Sequence, residues 1–437
     1  MKHYFLCLFS LIAIGIQAQS KQSVDQQIDS QIDPQIKAAA ENIEQQVIAW
    51  RRDFHENPEL SNREFETAKK IAAHLKSLGM EVQTGVAKTG VVGILKGDNP
   101  GKVVALRADI DALPVIERNE LPFKSEITAD FLGTKTGVMH ACGHDTHIAI
   151  LMGVAEILSK NKDKINGTVK FIFQPAEEGP PPGEEGGASL MIKEGVLKNP
   201  DVDAIFGLHI NSGTPVGTIR YKPEGTMAAV ERFVINVQGK QTHGSAPWSG
   251  TDPILISAKI IDGLQTIISR DAKLVDGAAV ITVGKITSGV RFNIIPETAE
   301  MIGTVRTLDA DMKEVILKRM REMVPAIAEA YGGKATIEIQ NNTAITYNDP
   351  ELTGKMLPTL QRIAGKDKVE LVKPTTGGED FSFFQEKIPG FYFFLGGQPE
   401  GTSEPAPHHT PDFYIDESGM LLGVKVMSQL AIDYLNQ

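Results

Sequence analysis

The sequence predicts an α/β protein with a largely parallel sheet, into which a second domain of α+β type is inserted. Short apolar runs of strand length alternate with helical segments in most of the chain, which is typical of a parallel sheet covered by helices. Between residues 225 and 342 the order changes to strand, helix, strand, strand, helix, strand. That order is the βαββαβ pattern of a ferredoxin-like sandwich.

The individual elements follow from local periodicity. Apolar residues recur at helical spacing over about 38–52 and 62–79, and Gly79 is placed to end the second helix. The apolar runs of the main sheet are 91–95, 103–107, 169–173 and 204–208, with a turn predicted at 97–101. The inserted domain is predicted to contain strands at 233–237, 279–286 and 299–306 and helices at 253–269 and 311–331.

The first residues have the layout of a secretory signal peptide. Met1-Lys2-His3 precedes the apolar run Tyr4 to Ile16, and Gln17-Ala18-Gln19-Ser20 follows. The run is too short to span a bilayer well, and no later segment resembles a membrane helix. Cys7 lacks the small residue expected before a lipid-modified cysteine. We therefore expect an exported protein, periplasmic or secreted, without a membrane anchor.

The predicted domain organisation covers the whole chain. It consists of a signal peptide at 1–19, a Gln-rich leader at 20–37, a first domain at 38–224 and 343–437, and the inserted domain at 225–342.

Composition narrows the classes of partner. The formal net charge is −11 and the Lys and Arg residues are scattered, which argues against nucleic acid but not against a small anionic substrate. After removal of the signal peptide Cys142 is the only cysteine, so an intramolecular disulfide is impossible. A lone exported thiol suggests protection by a metal or by burial.

One stretch, from Met139 to His147, crowds a thiol, three imidazoles and a carboxylate into nine positions. The Cys142 and His144 side chains project to the same side of an extended backbone, and thiolate with imidazole suits zinc and related divalent metals. The apolar run 148–158 reads as a buried helix that begins directly after this cluster. The alternative is a small buried cysteine beside ordinary polar residues at a helix start.

Polar groups also follow the predicted strands. In parallel sheets chemistry lies at the carboxyl ends of the strands, and three strands end at Arg107-Ala108-Asp109-Ile110-Asp111, at Gln174-Pro175-Ala176-Glu177-Glu178, and at His209. The loop 179–187 is predicted to form a rim, with Glu184 and Glu185 solvated rather than catalytic.

Seven motifs with polar or metal-binding residues follow one another along the chain. They are Arg107-x-Asp109-x-Asp111-Ala112-Leu113-Pro114, Met139-His140-Ala141-Cys142-Gly143-His144-Asp145, Gln174-Pro175-Ala176-Glu177-Glu178-Gly179, Gly207-Leu208-His209, His243-Gly244-Ser245-x-Pro247, Gly378-Glu379-Asp380-Phe381 and His409-Thr410-Pro411-Asp412-Phe413. In this order they resemble the M20 metallopeptidase family. The similarity extends from Arg51 to the C-terminus and is greatest to the amidohydrolases of subfamily D, which include N-acyl-amino-acid amidohydrolases, hippurate hydrolases and indole-acetyl-amino-acid hydrolases.

The resemblance implies a zinc-peptidase-like catalytic domain with one or two divalent metal ions (Zn, Mn, Ni or Co). His409 is preferred to His408 because its spacing to Pro411 and Phe413 fits the family pattern. Glu177 would be the general base, and His243 on the inserted domain would stabilise the developing oxyanion. The implied metal ligands are Cys142, His144, Glu178, His209 and His409, and the implied supports of these ligands are Asp109 and Asp145.

The implied function is hydrolysis of the amide that joins an acyl group to an amino acid. Asn293 and Arg306 are candidates to hold the free carboxylate of that amino acid. A dipeptidase or carboxypeptidase acting on short peptides is the alternative within the same class, and a catalytically silent binding protein is the alternative outside it. The inserted domain would serve as a lid and, in one candidate assembly, as the interface of a homodimer.

Overall fold

The computed structural model describes residues 33–437, which form two units. The predicted signal peptide and the predicted leader up to residue 32 lie outside the described residues. The strands are β1 Glu81–Val86, β2 Gly90–Lys96, β3 Asn99–Asp109, β4 Thr128–Phe131, β5 Thr134–Gly137, β6 Asn166–Gln174, β7 Ala204–Pro215, β8 Ile219–Tyr221, β9 Glu224–Met227, β10 Ala229–Gln238, β11 Thr242–His243, β12 Ala279–Ser288, β13 Ile294–Ile295, β14 Thr298–Thr307, β15 Lys334–Thr343, β16 Thr346–Asn348, β17 Val369–Leu371 and β18 Gly390–Gln398. The helices are α1 Pro34–Glu56, α2 Phe65–Ser77, α3 His144–Ser159, α4 Gly187–Lys193, α5 Pro253–Thr266, α6 Ala310–Ala330, α7 Pro350–Ala364, α8 Ser382–Gln385 and α9 Met420–Leu435.

The first unit contains the residues up to Tyr221, then Asp349–Val372 and Ile388–Gln437. Its sheet has eight strands in the order β1-β2-β6-β3-β7-β18-β8-β17. The central strands β6, β3, β7 and β18 run parallel. The pairs β1-β2, β2-β6 and β18-β8 are antiparallel, and the edge strand β17 is parallel to β8. This arrangement confirms the predicted α/β class.

Two details of this unit differ from the prediction. The first helix begins at Pro34 rather than near residue 38, because the Asp33 side chain accepts hydrogen bonds from the first-turn N–H groups of Gln35 and Ile36. The segment 97–101 is not a simple turn between neighbouring strands. β3 already starts at Asn99, and β6 lies between β2 and β3 in the sheet.

The helix α3 follows the Cys142 region and is buried along nearly all its length. It packs with α1 and α9 on the sheet. A helix that is apolar on every side is stable only when neighbours cover it, so its N-terminus is held in a fixed place beside the strand ends. No helix in the described part of the chain is both long enough and apolar enough to cross a membrane.

The second unit contains Lys222–Asn348 and Lys373–Lys387. Its four-stranded sheet has the order β12-β14-β10-β15, all neighbours antiparallel, and α5 and α6 cover one face. Chain order and strand order are those of a ferredoxin-like sandwich.

This unit is longer than the predicted inserted domain of 225–342. The short strands β9 and β16 pair with each other where the chain enters and leaves the unit. The segment 373–387 joins them, because the N–H of Ala228 donates to the carbonyl of Gly377. The motif Gly378 to Phe381 therefore lies in the second unit rather than in the first.

Candidate metal centre

The predicted metal ligands of the first unit come from separate parts of the chain. Cys142 and His144 lie at the start of α3, and Glu178 lies four residues after the end of β6. His209 lies within β7 rather than at its end, because this strand continues beside β18 to Pro215. His409 lies in the loop before α9 and has a φ of 64°.

Two imidazoles approach the sulfur of Cys142, and the carboxylate of Glu178 lies against one of them. The Sγ of Cys142 lies 3.4 Å from the Nε2 of His209 and 3.3 Å from the Nε2 of His409. The same Nε2 of His409 lies 3.0 Å from a carboxylate oxygen of Glu178. Sulfur, nitrogen and oxygen donors thus lie beside one another, at a place that is buried around Cys142 and exposed at His409.

The imidazole of His144 is the fifth predicted ligand. Its Nδ1 donates a hydrogen bond to the carbonyl of Asp111 at 2.9 Å, which in the neutral ring leaves the lone pair on Nε2. This Nε2 is buried and has no hydrogen-bond partner among the described residues. Ligand atoms of Cys142, His144 and Glu178 lie within 4.8 Å of one another.

A second histidine is oriented in the same manner. The Nδ1 of His209 donates to the carbonyl of Ile210 at 2.6 Å, so its Nε2 also presents a lone pair toward Cys142. Fixing the tautomer of a ligating histidine through its other ring nitrogen is a common feature of metal sites.

This donor set fits a divalent metal ion. Imidazole nitrogens, a carboxylate and a thiol lie together here, and imidazole, carboxylate and thiolate are the ligands of zinc and its neighbours. Burial and then the charges of Glu178 and Glu177 raise the pKa of the Cys142 thiol well above its ordinary value. A bound cation would supply the charge that stabilises the thiolate.

His408 lies beside the same sulfur, with its Nδ1 3.8 Å from the Sγ of Cys142. Both of its ring nitrogens are used in hydrogen bonds to the main chain. Nδ1 donates to the carbonyl of Cys142 at 3.1 Å, and Nε2 accepts from the N–H of Ser212 at 3.3 Å. Ligand atoms of His408, Cys142 and His209 also lie within 4.8 Å of one another. His409 differs in that its Nε2 faces both the Cys142 sulfur and the Glu178 carboxylate.

Glu177, the predicted base, stands next to this group. One of its carboxylate oxygens lies 3.9 Å from the Nε2 of His144, and the side chain is half-buried. The N–H groups of Glu177 and Glu178 donate to the two carboxylate oxygens of Asp111, each at 3.1 Å.

The two predicted supporting carboxylates have different surroundings. Asp109 accepts hydrogen bonds from His147 at 2.5 Å and Arg107 at 2.6 Å, and its nearest approach to His144 is 3.8 Å. It therefore supports the metal centre through His147, whose Nε2 accepts from the N–H of Ile210 beside His209.

Asp145 is bound by two residues of the first helix. Its carboxylate is bound at 2.7 Å by Arg51 and at 2.9 Å by His55, both on α1. Burial opposes ionisation of Asp145, but Arg51 and His55 outweigh it and hold the pKa of this carboxyl well below its ordinary value. The hydrogen bond that orients His144 is made by the carbonyl of Asp111.

The remaining predicted residues belong to the second unit. His243 is exposed on β11, and its Nδ1 accepts a hydrogen bond from the N–H of Ser245 at 3.0 Å. The neutral ring therefore carries its proton on Nε2. Asn293 lies beside it, since its carbonyl accepts from the N–H of Gly244 at 2.9 Å. Arg306 is separate, on β14, and donates to the carbonyl of Thr376 at 2.9 Å.

Several residues around the centre were not assigned a role from the sequence. Asp111 belongs to the motif Arg107-x-Asp109-x-Asp111, so the sequence pattern could have identified it. Glu64 and Ser61 carry no local signal, because their partners lie far away in the chain. The unassigned residues with buried polar contacts near the centre are Ser61, Glu64, Arg107, Asp111 and His147.

The loop 179–187 is held to the first unit by its acidic residue Glu184. This carboxylate binds Arg63 at 2.6 Å and Asn62 at 3.0 Å, and it also contacts Lys88. These side chains hold the pKa of Glu184 well below its ordinary value. Glu184 is therefore a partly exposed residue that three donors from the neighbouring segments bind.

Comparison with known proteins places this geometry in a family. The model of peptidase family M20/M25/M40 matches residues 105–433. The chain is 43% identical to thermostable carboxypeptidase 2 of Saccharolobus solfataricus over 404 residues, 92% of this chain and 98% of that protein. It is 39% identical to N-acetylcysteine deacetylase of Bacillus subtilis over 389 residues, 88% of this chain and 96% of that one.

A solved structure from the M20 family has a similar fold. The Bacillus subtilis YXEP protein, described as a dinuclear metal binding peptidase from the M20 family, superposes with a TM-score of 0.75 at 37% identity, covering 91% of this chain and 99% of that one. Together with the donor set around Cys142, these relatives support metal-dependent hydrolysis of an amide bond. The resemblance found in the motifs is confirmed, and the chain belongs to peptidase family M20/M25/M40.

Proposed function

We propose that this protein is an exported, metal-dependent amidohydrolase that cleaves N-acyl amino acids. The observation that carries the proposal is the convergence of the Cys142 sulfur, two histidine Nε2 atoms and the Glu178 carboxylate, with the Glu177 carboxylate beside them. The relative named N-acetylcysteine deacetylase supports an acyl amino acid as the substrate.

The metal would be held by Cys142, His144, Glu178, His209 and His409. When bound, it polarises the amide carbonyl and makes water acidic enough to lose a proton near neutral pH. A second carboxylate is needed because one that binds metal cannot also move protons. The adjacent residues Glu177 and Glu178 divide these two tasks.

Glu177 acts as the general base in this proposal. Its carboxylate takes the proton from the attacking water and delivers it to the nitrogen of the leaving amino acid. The main-chain N–H of Glu177 is held by Asp111, so its carboxylate is presented from a fixed turn. Positioning of this kind removes part of the entropic barrier to reaction.

His243 supplies a hydrogen-bond donor for the oxyanion that develops on the amide oxygen. The tautomer fixed by Ser245 places the proton on Nε2, which suits a donor. Asn293, through its side-chain amide, and Arg306, through the guanidinium hydrogens that Thr376 does not use, are proposed to bind the substrate carboxylate.

A carboxypeptidase or dipeptidase is the second candidate. It is favoured by one observation, the 43% identity to a protein named thermostable carboxypeptidase 2. Both candidates release an amino acid with a free carboxylate, so they differ only in what lies on the acyl side of the bond.

A substrate panel separates these candidates. The purified mature protein, after metal analysis, is incubated with N-acetyl, N-benzoyl and longer acyl derivatives of one amino acid, each as free acid and as methyl amide, and with unblocked dipeptides. We expect cleavage of several acyl derivatives as free acids and much slower cleavage of the methyl amides. A site built to bind a polar group discriminates strongly against its absence, whereas one methylene is worth only about 1 to 3 kcal/mol.

Other outcomes of the panel are equally informative. Cleavage of the methyl amides at the rate of the acids would contradict carboxylate recognition. Preference for unblocked dipeptides would favour the peptidase. Full metal content without turnover of any compound would favour a binding protein.

Export and assembly are separate parts of the proposal. Removal of residues 1–19 should be visible in the mass of protein recovered from the producing cell. For a homodimer through the second unit, the support is the edge strand β12, where Val280 and Ile286 are 42% and 49% exposed. Light scattering of the purified protein would give the oligomer, and a monomer at all concentrations would contradict it.

A further inference from the structure

Two buried carboxylates hold the turn that carries the proposed base. Three consecutive N–H groups of this turn donate to them. The N–H of Ala176 donates to Glu64 at 2.9 Å, and those of Glu177 and Glu178 donate to the two oxygens of Asp111 at 3.1 Å each. The main chain on both sides of the Glu177 side chain is thus fixed by carboxylates from elsewhere in the first unit.

The turn needs such a restraint. Ala176 has a φ of 53°, in the left-handed region that residues other than glycine rarely adopt. A conformation of this kind persists only where the surroundings impose it. Glu64 supplies the hydrogen bond at this residue, directly before Glu177.

The Glu64 carboxylate binds the N–H of Ala176 and does not cap the helix that begins at the next residue. Glu64 is the residue directly before α2, but its side chain makes no capping bond to that helix. The carboxylate of Glu59 does so instead, accepting from the N–H groups of Glu66 at 3.2 Å and Thr67 at 2.8 Å. The Glu64 side chain is fully buried, and its second oxygen accepts from the hydroxyl of Thr89 at 2.6 Å.

Placing Glu64 beside Asp111 is unfavourable for both charges. Burial, and then the charge of Asp111, raise the pKa of Glu64 to about 7. Because the buried Glu64 carboxylate does not cap α2 and repels Asp111, its contacts with Ala176 and Thr89 must account for its place.

We propose that Glu64 is a positioning residue of the reaction, which holds the main chain at Ala176 so that the Glu177 carboxylate keeps its productive direction. The inference rests on the proposed role of Glu177 as base. Glu64 contacts neither this side chain nor a proposed metal ligand through its carboxylate, since its two oxygens hold Ala176 and Thr89. It is therefore a cleaner probe than Asp111, whose carbonyl also holds His144.

The test compares Glu64→Ala with the isosteric Glu64→Gln. Glutamine keeps an oxygen for the N–H of Ala176, and its amide can donate to the hydroxyl of Thr89, which then acts as acceptor. We expect Glu64→Ala to lower kcat about tenfold to a hundredfold with KM and metal content unchanged, as displacement of a catalytic group by about 1 Å does. Glu64→Gln should restore most of the activity near neutral pH.

Glu59→Ala is the matched control. It removes a carboxylate that also holds main-chain N–H groups, at the same end of α2, but that does not contact the turn. We expect it to lower the melting temperature without changing kcat. Should Glu64→Ala fail to fold, Thr89→Val removes the hydroxyl that orients Glu64 and should change kcat in the same direction but less.

Hydrogen exchange gives a readout that is independent of the substrate. The peptide containing Ala176, Glu177 and Glu178 should exchange faster in Glu64→Ala than in the wild type, Glu64→Gln and Glu59→Ala. Equal exchange and equal kcat in Glu64→Ala and the wild type would overturn the proposal, as would a Glu64→Gln variant impaired as severely as Glu64→Ala. If the wild type hydrolyses no amide, the proposed function fails, while the exchange comparison still decides whether Glu64 positions the turn.

Discussion

The Nε2 atom of His409 lies 3.3 Å from the sulfur of Cys142, although 267 positions separate the two residues in the chain. Without a cation the thiol keeps its proton, because burial and nearby carboxylates raise its pKa. A thiol that binds a divalent metal must be deprotonated. If a metal binds between these two residues, the Cys142 thiol must therefore lose its proton.

Metal binding should expel the thiol proton. We expect the metal-free wild type to release about one more proton on binding zinc at pH 7 than Cys142→Ser does. Calorimetry of metal binding in buffers with different ionisation enthalpies measures this number. The same proton release from both proteins would show that Cys142 is a buried residue and not a ligand.

Substitutions of the adjacent residues Glu177 and Glu178 should affect turnover and metal binding differently. Glu177→Gln should retain its metal and lose turnover on the order of a hundredfold or more, because a positioned base contributes about that much. Glu178→Gln, the control at the next position, should lose metal affinity as well. Metal content by emission spectroscopy and kcat on an N-acyl amino acid are the two measurements. Near-normal turnover of fully loaded Glu177→Gln would contradict the assignment.

His243 should matter for rate and not for stability. The side chain is exposed, so His243→Ala should leave the melting temperature and metal content unchanged. Loss of a donor to the oxyanion should lower kcat about a hundredfold. Ser245→Ala is the control, since the main-chain N–H of Ser245 still fixes the tautomer of His243, and it should have a much smaller effect. Equal rates in His243→Ala and the wild type would remove His243 from the mechanism.

Glu64 should make stability depend on pH. Its pKa in the folded state is raised to about 7, from an ordinary value of 4.5, by burial and then by Asp111. Between these values the folded protein holds a proton that the unfolded chain has released, so the contribution of Glu64 to stability falls as pH rises through this window. The full shift corresponds to about 3 kcal/mol.

Glu64→Gln lacks this titration. Its free energy of unfolding should therefore rise relative to that of the wild type between pH 4.5 and 7, in denaturant titrations of the same metal-loaded form. Parallel curves for the two proteins across this range would show that Glu64 is ionised throughout.

The parts of the centre that depend on short-range pattern could be predicted from the sequence. Cys142 and His144 lie two residues apart before an apolar helix, and Glu177 and Glu178 follow a strand, so their placement at one end of the sheet follows from topology. The order of helices and strands in the second unit could also be predicted from the sequence, because each element there has its own periodicity of apolar residues.

The parts that depend on distant contacts could not be predicted. Glu64 bonds the main chain of Ala176, which lies 112 positions away, and a main-chain partner leaves no trace in the sequence. Asp145 stands in the metal-binding motif, but its carboxylate is taken by Arg51 and His55 from α1. The segment 373–387 joins the second unit through the Ala228 to Gly377 hydrogen bond, which no composition change marks.

The most direct test is the rate of amino acid release from an N-acyl amino acid before chelation, after chelation, and after restoration of zinc, manganese, nickel or cobalt. The centre at Cys142 predicts turnover in the loaded protein, loss of that turnover with the metal, and recovery with at least one of these ions, while Glu177→Gln stays inactive at equal metal content. Undiminished hydrolysis by protein shown to contain no metal would contradict it.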